Sequence, residues 1–251
     1  MATENTKSKE RIDELLVKRG FSETRSKAKA LLMAGSVFVD GHRVEKAGAM
    51  VAAAAEIELK GVSGRYVGRG GVKLEAALKG FGIDPGGKTV LDVGASTGGF
   101  TDCLLQHGAL VVYAVDVGYG QLAWSLRNDP RVRVLERLNA RYLKLEDIGE
   151  RVDIATFDVS FISLTLVIPP VLGVLKPGGV IIALVKPQFE VGKGEVGRGG
   201  IVRDEAKRLR TVKKIEAFVE SAGLDLMGVI PSPIPGADGN REYLLAAIDN
   251  R

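Results

Sequence analysis

The chain has 251 residues, of which 45% are hydrophobic and 26% charged, and its formal net charge is +4. Its apolar runs are shorter than the roughly 18 residues that a membrane span requires, and its first residues lack the apolar core of a secretory signal peptide. One cysteine, Cys103, and two histidines argue against disulfides, a zinc ribbon and a Ser-His-Asp triad, so the composition favours a cytoplasmic protein without a bound metal, and the positive charge fits a polyanionic partner.

Residues 1–60 are predicted to form a small α+β domain. Apolar residues at helical spacing indicate two helices, the first capped by Ser8 and the second by Ser22, each ending at a glycine. The turn dipeptide Asp40-Gly41 lies between two short β segments and predicts a hairpin. Residues 56–59 alternate in polarity as a further strand.

Basic side chains cluster around the second helix and the hairpin. A solvated helix face explains a charge run alone, but the surrounding motifs are more specific: Arg11-Ile-Asp-Glu-Leu-Leu-Val, Thr24-Arg-Ser-Lys-Ala-Lys-Ala-Leu-Leu and Gly35-Ser-Val-Phe-Val-Asp-Gly. Over about residues 9–60 this pattern resembles the αL RNA-binding domain named after a small-subunit ribosomal protein. The resemblance implies that a basic helix and the adjacent turn grip the backbone of structured RNA. The expected RNA-binding residues are Arg19, Arg25, Lys27, Lys29, Arg43, Arg65 and Arg69.

A linker is predicted at residues 61–66, and a second domain at 67–251, in which strand and helix patterns alternate. Strands are predicted at 89–93, 111–116, 132–136, 152–157, 180–185, 225–231 and 242–248, and helices near 74–82, 99–107, 121–127, 163–173 and 203–222. This order predicts a seven-stranded, doubly wound α/β sheet. The glycine-rich stretch from Gln188 to Arg203, with Lys193 and Arg198, is interpreted as a mobile substrate loop or a surface insertion.

The segment from Val90 to Phe100 reads Val-Leu-Asp-Val-Gly-Ala-Ser-Thr-Gly-Gly-Phe. Strand, glycine turn and helix in this order build a nucleotide-type pocket at the carboxyl edge of an α/β sheet. The spacing G-x-x-x-G-G differs from the dinucleotide pattern G-x-G-x-x-G. Asp92 in the strand and Asp116 after the next strand suit a ligand with an amine and a ribose better than a pyrophosphate. We therefore predict S-adenosylmethionine, the alternatives being a nicotinamide cofactor or an ordinary tight βα turn.

Charged residues follow strands at the same sheet edge. Asp158 comes after the strand at 152–157, Lys186 precedes a proline after the strand at 180–185, and Glu242 opens the last strand. Carboxylates at 158 and 242 are expected to position the ammonium group of Lys186, while a second lysine, Lys73, joins from the preceding helix and opposes its protonation. For any one of these residues the alternative is a surface salt bridge.

With these residues in view, the second domain resembles the FtsJ-like ribose 2′-O-methyltransferases, which use a Lys-Asp-Lys-Glu tetrad. Lys73, Asp158, Lys186 and Glu242 match that tetrad in order, within motifs such as Gly-Arg-Gly-Gly-Val-Lys-Leu-Glu and Val-Lys-Pro-Gln-Phe-Glu. With the αL domain included, residues 9–248 are similar to the TlyA, or hemolysin A, family. The resemblance implies a Rossmann-like class I methyltransferase that transfers methyl from S-adenosylmethionine to a cytidine 2′-hydroxyl in ribosomal RNA.

The resemblance also assigns roles to residues. Lys186 acts as a base or stabilises the developing alkoxide, Asp158 and Glu242 orient it, and Lys73 tunes the charge. The residues implied in cofactor binding are Asp92, Gly94, Ser96, Thr97, Gly98, Gly99, Phe100, Asp116, Asn139 and Asp158. Two alternative functions remain at this point: a pore-forming hemolysin, and an RNA-binding protein whose methyltransferase domain is inactive.

Overall fold

The structure is a computed structural model that describes residues 9–22, 24–59, 65–192, 194–197, 199–236 and 239–250. The chain divides into two compact units, the first ending at Arg69 and the second beginning at Gly70. Within the described ranges, no helix has the length and apolar character needed to cross a membrane.

The first unit contains two short helices packed on small antiparallel sheets. Its elements are β1 (Lys9–Arg11), α1 (Ile12–Lys18), α2 (Arg25–Met33), β2 (Val37–Val39), β3 (His42–Arg43), β4 (Met50–Ala52) and β5 (Ile57–Leu59). The predicted hairpin is confirmed, because β2 pairs with β3 across the Asp40-Gly41 turn. Strands β1 and β4, which pair with each other, were not predicted.

The caps of the two helices differ from the prediction. Helix α2 is capped by Thr24, whose side chain accepts a hydrogen bond from the Lys27 backbone N–H, and not by Ser22. Ser8 lies outside the described residues, and Arg11, the last residue of β1, occupies the N-cap position of α1. The prediction for α2 failed because Ser22 and Thr24, two positions apart, both fit the cap pattern.

A buried acid links the two helices. Asp13 is fully buried, and its carboxylate accepts hydrogen bonds from Arg11 Nε at 3.0 Å and Arg25 Nη2 at 2.9 Å. The guanidinium of Arg11, with a smaller contribution from Arg25, holds the pKa of Asp13 well below its usual range. Arg25 therefore has a structural partner inside the domain.

The second unit is an α/β sandwich built on one mixed seven-stranded sheet. Its strands are β6 (Thr89–Val93), β7 (Val111–Asp116), β8 (Val132–Glu136), β9 (Val152–Phe157), β10 (Leu175–Val185), β11 (Leu224–Pro231) and β12 (Tyr243–Asp249), and its helices are α3 (Gly70–Phe81), α4 (Gly99–Gln106), α5 (Trp124–Arg127), α6 (Leu145–Ile148), α7 (Leu164–Leu172), α8 (Pro187–Glu190) and α9 (Glu205–Ser221), with a 3-10 turn at Ala140–Tyr142. The strand order is β11-β12-β10-β9-β6-β7-β8. The seven predicted strands and the fold class are confirmed.

Several boundaries differ from the predicted ones. Helix α3 begins at Gly70 rather than Leu74, because the glycines at its start pack closely against α4. Strand β10 begins at Leu175 and pairs with β9 through a register shift before Val180. The short helices α6 and α8 were not predicted, since a single turn is too short for a periodic pattern.

The direction of the strands gathers the charged residues at one edge. Strands β6 to β10 run parallel, so β6, β7, β9 and β10 all end at the carboxyl edge of the sheet. Strand β12 is antiparallel to β10 and pairs Tyr243 with Val185. Glu242, the residue before β12, is thereby brought to the same edge as Lys186.

One buried carboxyl lies under this edge. Asp92 is fully buried, and its two oxygens accept hydrogen bonds from Thr101 Oγ1 at 2.6 Å and Thr156 Oγ1 at 3.0 Å. Asp92 thus connects β6 to α4 and to β9 within the core. Burial raises the pKa of Asp92 to about 6, against the lowering effect of both threonine hydroxyls.

Asp92→Asn tests this burial. A carboxyl whose pKa is raised in the folded state adds stability below its unfolded value and loses that contribution as pH rises through about 6. The free energy of unfolding of the variant, relative to the native chain, is expected to rise between pH 4 and 7 by about 3 kcal/mol at most. Urea unfolding at several pH values measures it, with the exposed Asp225→Asn as control, and parallel pH profiles for Asp92→Asn and the native chain contradict it.

Candidate active site

The turn after β6 is built on glycines that the backbone requires. Gly94 has φ +85° and lies so close to the next strand that an added Cβ meets the Asp158 carbonyl oxygen at 2.7 Å. Gly98 has φ +97°, and an added Cβ at Gly99 meets the backbone of Gly70 at 3.2 Å. Residues with side chains fit none of these positions without displacing neighbours. The turn is therefore locked against both α3 and the segment that follows β9.

A cavity of about 390 Å³ opens beside this turn at the carboxyl edge. Of the predicted cofactor residues, those that line it are Gly94, Ser96, Asp116, Asn139 and Asp158. The Asp116 carboxylate accepts backbone N–H groups from Ser96 at 2.8 Å and Gly118 at 2.7 Å. These bonds hold the turn and the loop after β7 together, and a carboxylate retains further acceptor sites for a ligand hydroxyl.

A smaller cavity of about 100 Å³ adjoins the first on the side of α3. Gly94, Ser96 and Asp158 line both cavities, so the two form neighbouring parts of one cleft. The smaller part is completed by the remaining residues Gly70, Ala95, Thr97, Gly99 and Phe100. Gly98 faces Leu122 and Leu126 instead, which makes it a packing position.

Asp92 lies in neither cavity. Its burial beneath the turn corrects the expectation that it faces the ligand, because both of its oxygens are taken by threonine hydroxyls. Its contacts support the glycine turn from within the core. The sequence pattern placed Asp92 in the strand but did not reveal that its side chain is buried.

The four charged residues of the predicted tetrad form two ion pairs. Lys186 Nζ lies 2.6 Å from Asp158 Oδ1, and Lys73 Nζ lies 2.5 Å from Glu242 Oε2. Lys73 and Lys186 are each 8% exposed. Although burial alone raises the pKa of Asp158, the positive charges of Lys186 and Lys73 outweigh it and hold that pKa below its usual value. Asp158 is therefore ionised beside the cleft.

The pairing differs in one respect from the prediction. The structure pairs Glu242 with Lys73, whereas Lys186 is oriented by Asp158 and by Ser160, whose Oγ accepts from Lys186 Nζ at 3.0 Å. Strand order explains the difference, because β12 lies on the α3 side of the edge. Ser160 was missed, since a serine in a loop carries no distinctive pattern.

Sequence reasoning also missed two aromatic residues. Phe161 is 90% exposed and has φ +63°, a conformation that non-glycine residues rarely adopt. Its ring centroid lies 5.0 Å from that of Phe189, which in turn lies 6.0 Å from Lys186 Nζ. An apolar ring is thus held out in solvent next to the charged cluster, at the lip of the larger cavity.

The predicted RNA-binding residues of the first unit fall into two groups. Arg19 donates to the backbone carbonyls of Ala53 and Ala55, Arg25 pairs with Asp13, and Arg43 pairs with Glu45. Arg19 and Arg25 therefore join separate segments of the domain, whereas Arg43 pairs with a residue two positions along the chain. The second group consists of Lys27, Lys29 and Arg65, which are exposed, and Arg69, which is half-buried.

The stretch predicted as a substrate loop has more structure than expected. Gln188 belongs to α8, and the Val202 backbone N–H donates to the buried Asn240 Oδ1 at 3.0 Å. Lys193 and Arg198 lie outside the described residues. Across the part of the chain that the structure describes, no group of three or more His, Cys, Asp or Glu side chains is arranged to hold a metal ion.

Comparison with known proteins agrees with this geometry. Residues 66–248 match the FtsJ-like methyltransferase family, and residues 10–57 match the S4 domain. The chain is 50% identical over 236 residues to 16S/23S rRNA (cytidine-2'-O)-methyltransferase TlyA of Mycobacterium tuberculosis, covering 94% of this chain and 88% of the relative. It is 42% identical over 235 residues to Hemolysin A of Brachyspira hyodysenteriae, covering 93% and 98% of the two chains.

Solved structures give the same result. A structure from Streptococcus thermophilus described as a hemolysin superposes with a TM-score of 0.76 at 45% identity, covering 96% of this chain and 88% of that one. A methyltransferase from Mesorhizobium loti at 16% identity, with a TM-score of 0.52 and coverage of 68% and 95%, shares the fold alone. The family match argues against the alternative of a nicotinamide-dependent enzyme. The chain belongs to the FtsJ-like methyltransferase family and combines this domain with an S4 domain.

Proposed function

We propose that the protein transfers a methyl group from S-adenosylmethionine to the 2′-hydroxyl of a cytidine in ribosomal RNA. The observation that carries this proposal is the position of Lys186, buried at the carboxyl edge and held by Asp158 and Ser160 beside the cleft. The likeness to the M. tuberculosis enzyme supports the choice of nucleotide. We also propose that it acts in the cytoplasm. Ribosomal RNA is found there, and a chain with one cysteine does not depend on an intrachain disulfide.

The cleft fits the cofactor. Its glycine turn gives a close backbone approach at Gly94, where a side chain has no room, and Asp116 stands at the end of β7 with acceptor sites for ribose hydroxyls. Ser96, Thr97 and Phe100 line the part of the cleft that we assign to the methionine end, and Asn139 lines the part that we assign to the adenine. When bound, S-adenosylmethionine supplies an electrophilic methyl group on a sulfonium.

The role of Lys186 follows from its donors. An ammonium group has three N–H donors, and two are directed to Asp158 and Ser160. The third is available for the 2′-oxygen of the substrate, where the ammonium group stabilises the negative charge that develops as the hydroxyl attacks. Action as a base requires that Lys186 first lose a proton, so that its neutral amine can take the proton of the hydroxyl. Lys73 is held in place by Glu242, and its positive charge adds to that of Lys186 in keeping Asp158 ionised. Positioning of this kind is the main contribution expected for methyl transfer to a weak nucleophile.

Recognition of RNA is divided between the two units. An exposed aromatic ring next to an active site suits an unstacked base, so we assign Phe161 to the base of the target cytidine and Lys186 to its ribose. The S4 domain offers Lys27 and Lys29 on the exposed side of α2 to phosphates. No specific observation favours a pore-forming activity, and the convergence of all four charged side chains supports an active domain over an inactive one.

Lys186→Ala tests the chemistry. We expect methyl transfer to fall by roughly 10²-fold or more, because the variant loses a positioned acid–base or charge-stabilising group. Lys186→Arg is expected not to restore it, since a guanidinium is broader and stays protonated. The measurement is transfer of tritiated methyl to ribosomal subunits at saturating cofactor. Near-normal turnover in Lys186→Ala eliminates the proposed mechanism.

Gly94→Ala tests the cofactor turn. The added methyl meets the Asp158 carbonyl at 2.7 Å in a strained conformation, so calorimetry is expected to show at least a tenfold weaker affinity for S-adenosylmethionine, about 1.4 kcal/mol. Gly149→Ala is the matched control, because Gly149 has a similar φ of +83° with open space around its Cβ position. Equal affinity in both variants argues against the assignment of the cleft.

Lys27→Glu combined with Lys29→Glu tests the S4 domain. Loss of phosphate contacts is expected to weaken rRNA binding and flatten its salt dependence, with cofactor affinity intact. The same charge change in the second unit, Lys79→Glu with Lys213→Glu, is the control. Arg25 is unsuitable, because its reversal disturbs the buried Asp13. Unaltered rRNA affinity in the Lys27/Lys29 variant contradicts this division between the units.

A further inference from the structure

The buried carboxylate of Glu190, the last residue of α8, has no part in the mechanism described above. Glu190 is 3% exposed. Its Oε1 accepts the Leu164 backbone N–H at 2.7 Å, and its Oε2 accepts the Ser163 hydroxyl at 2.6 Å. Its backbone carbonyl accepts Lys214 Nζ of α9 at 2.9 Å. The side chain therefore joins α8 to the start of α7.

The two segments that Glu190 joins are the ones that carry the catalytic groups. Residues 158–164 begin with Asp158, contain Ser160 and end at the start of α7. Residues 186–190 begin with Lys186 and end with Glu190. Contacts along their whole length join the two segments. The Lys186–Asp158 ion pair connects their first residues, the Phe161–Phe189 ring contact connects their middles, and the hydrogen bonds from Ser163 and Leu164 to Glu190 connect their last residues.

Helix capping alone does not account for this carboxylate. Helix α7 already has an N-cap, because the Ser163 hydroxyl accepts the Thr165 backbone N–H at 3.2 Å. Burying a carboxylate costs free energy, and burial raises the pKa of Glu190 despite its hydrogen bonds to Ser163 and Leu164. What the side chain adds is a connection between two segments, at the N-terminus of α7, where a negative charge is favoured.

We propose that Glu190 is a positioning residue for methyl transfer: it fixes residues 158–164 against residues 186–190, so that Lys186 Nζ meets both Asp158 and Ser160. This inference rests on the proposed role of Lys186. Without the link, the described contacts between the two segments are those of Lys186 with Asp158 and Ser160 and the Phe161–Phe189 ring contact, and the start of α7 loses its hydrogen bonds to α8. Small displacements there are costly, since a misplacement of about 1 Å can lower a rate by about 10²-fold.

The test compares Glu190→Ala with Glu190→Gln. For Glu190→Ala we expect kcat for methyl transfer to fall about tenfold or more, with the rRNA KM and the cofactor Kd changed by less than about threefold. Glu190→Gln is expected to recover most of kcat, because its amide oxygen accepts from Leu164 while its NH₂ group donates to the Ser163 hydroxyl. Failure of Gln to restore the rate, or an unchanged kcat in Glu190→Ala, overturns the proposal.

Asp153→Ala is the matched control. Asp153 also accepts a backbone N–H, from Thr89 at 2.9 Å, and a side-chain donor, Lys176 at 2.9 Å, but it lies at the opposite edge of the sheet. If both Ala variants lose kcat in proportion to their loss of thermal stability, Glu190 is structural only and the proposal is wrong. If Glu190→Ala does not fold, Glu190→Asp, which keeps the charge but shortens the side chain by one methylene, replaces it with the same expected drop in kcat.

Lys186→Ala, measured beside these variants, distinguishes failure of the proposed chemistry from failure of the positioning role of Glu190. A normal rate in Lys186→Ala removes the proposed mechanism itself, and the role of Glu190 with it. A strong loss in Lys186→Ala together with a normal rate in Glu190→Ala removes only the positioning role.

Discussion

Lys73 and Lys186 are each 8% exposed, and each ammonium group lies within 2.6 Å of a carboxylate oxygen. A buried charge is tolerated only when it is paired and hydrogen-bonded, and removal of one partner typically costs about 3–5 kcal/mol. The ends of β9 and β10, the start of β12 and the first turn of α3 must therefore all meet at one edge of the sheet. This requirement fixes the direction of β12 and the close approach of α3 to the glycine turn.

The glycine turn depends on the same region. An added Cβ at Gly94 meets the carbonyl oxygen of Asp158, and one at Gly99 meets the first turn of α3, which carries Lys73. The proposed cofactor cradle is thus in van der Waals contact with the segments that hold both lysines. Asp92 adds a connection beneath, through Thr101 and Thr156. Cofactor site and charged cluster are consequently one packed unit rather than two neighbouring features.

Much of this architecture follows from the sequence. Strands β6 to β9 have the predicted bounds, because short runs of apolar residues between helices are the pattern of strands buried on both faces. Strands β1 and β4 were missed, since each has only three residues, too few to show a period of alternation. The four charged residues were placed at one edge correctly, but their pairing depends on which side of β10 the strand β12 occupies. Burial of Asp13 and the exposure of Phe161 are properties of packing that no local pattern records.

The contact between Lys73 and Glu242 spans 169 positions of the chain. Lys73 lies on the first helix of its unit and Glu242 directly before the last strand, so the ion pair forms only after the antiparallel strand has been added to an otherwise parallel sheet. Contacts between such distant residues are slow to form, because closure of the long intervening loop costs conformational entropy. A partly synthesised or incompletely folded chain thus holds Lys73 without its partner, and a competent site exists only in a molecule that has completed its sheet.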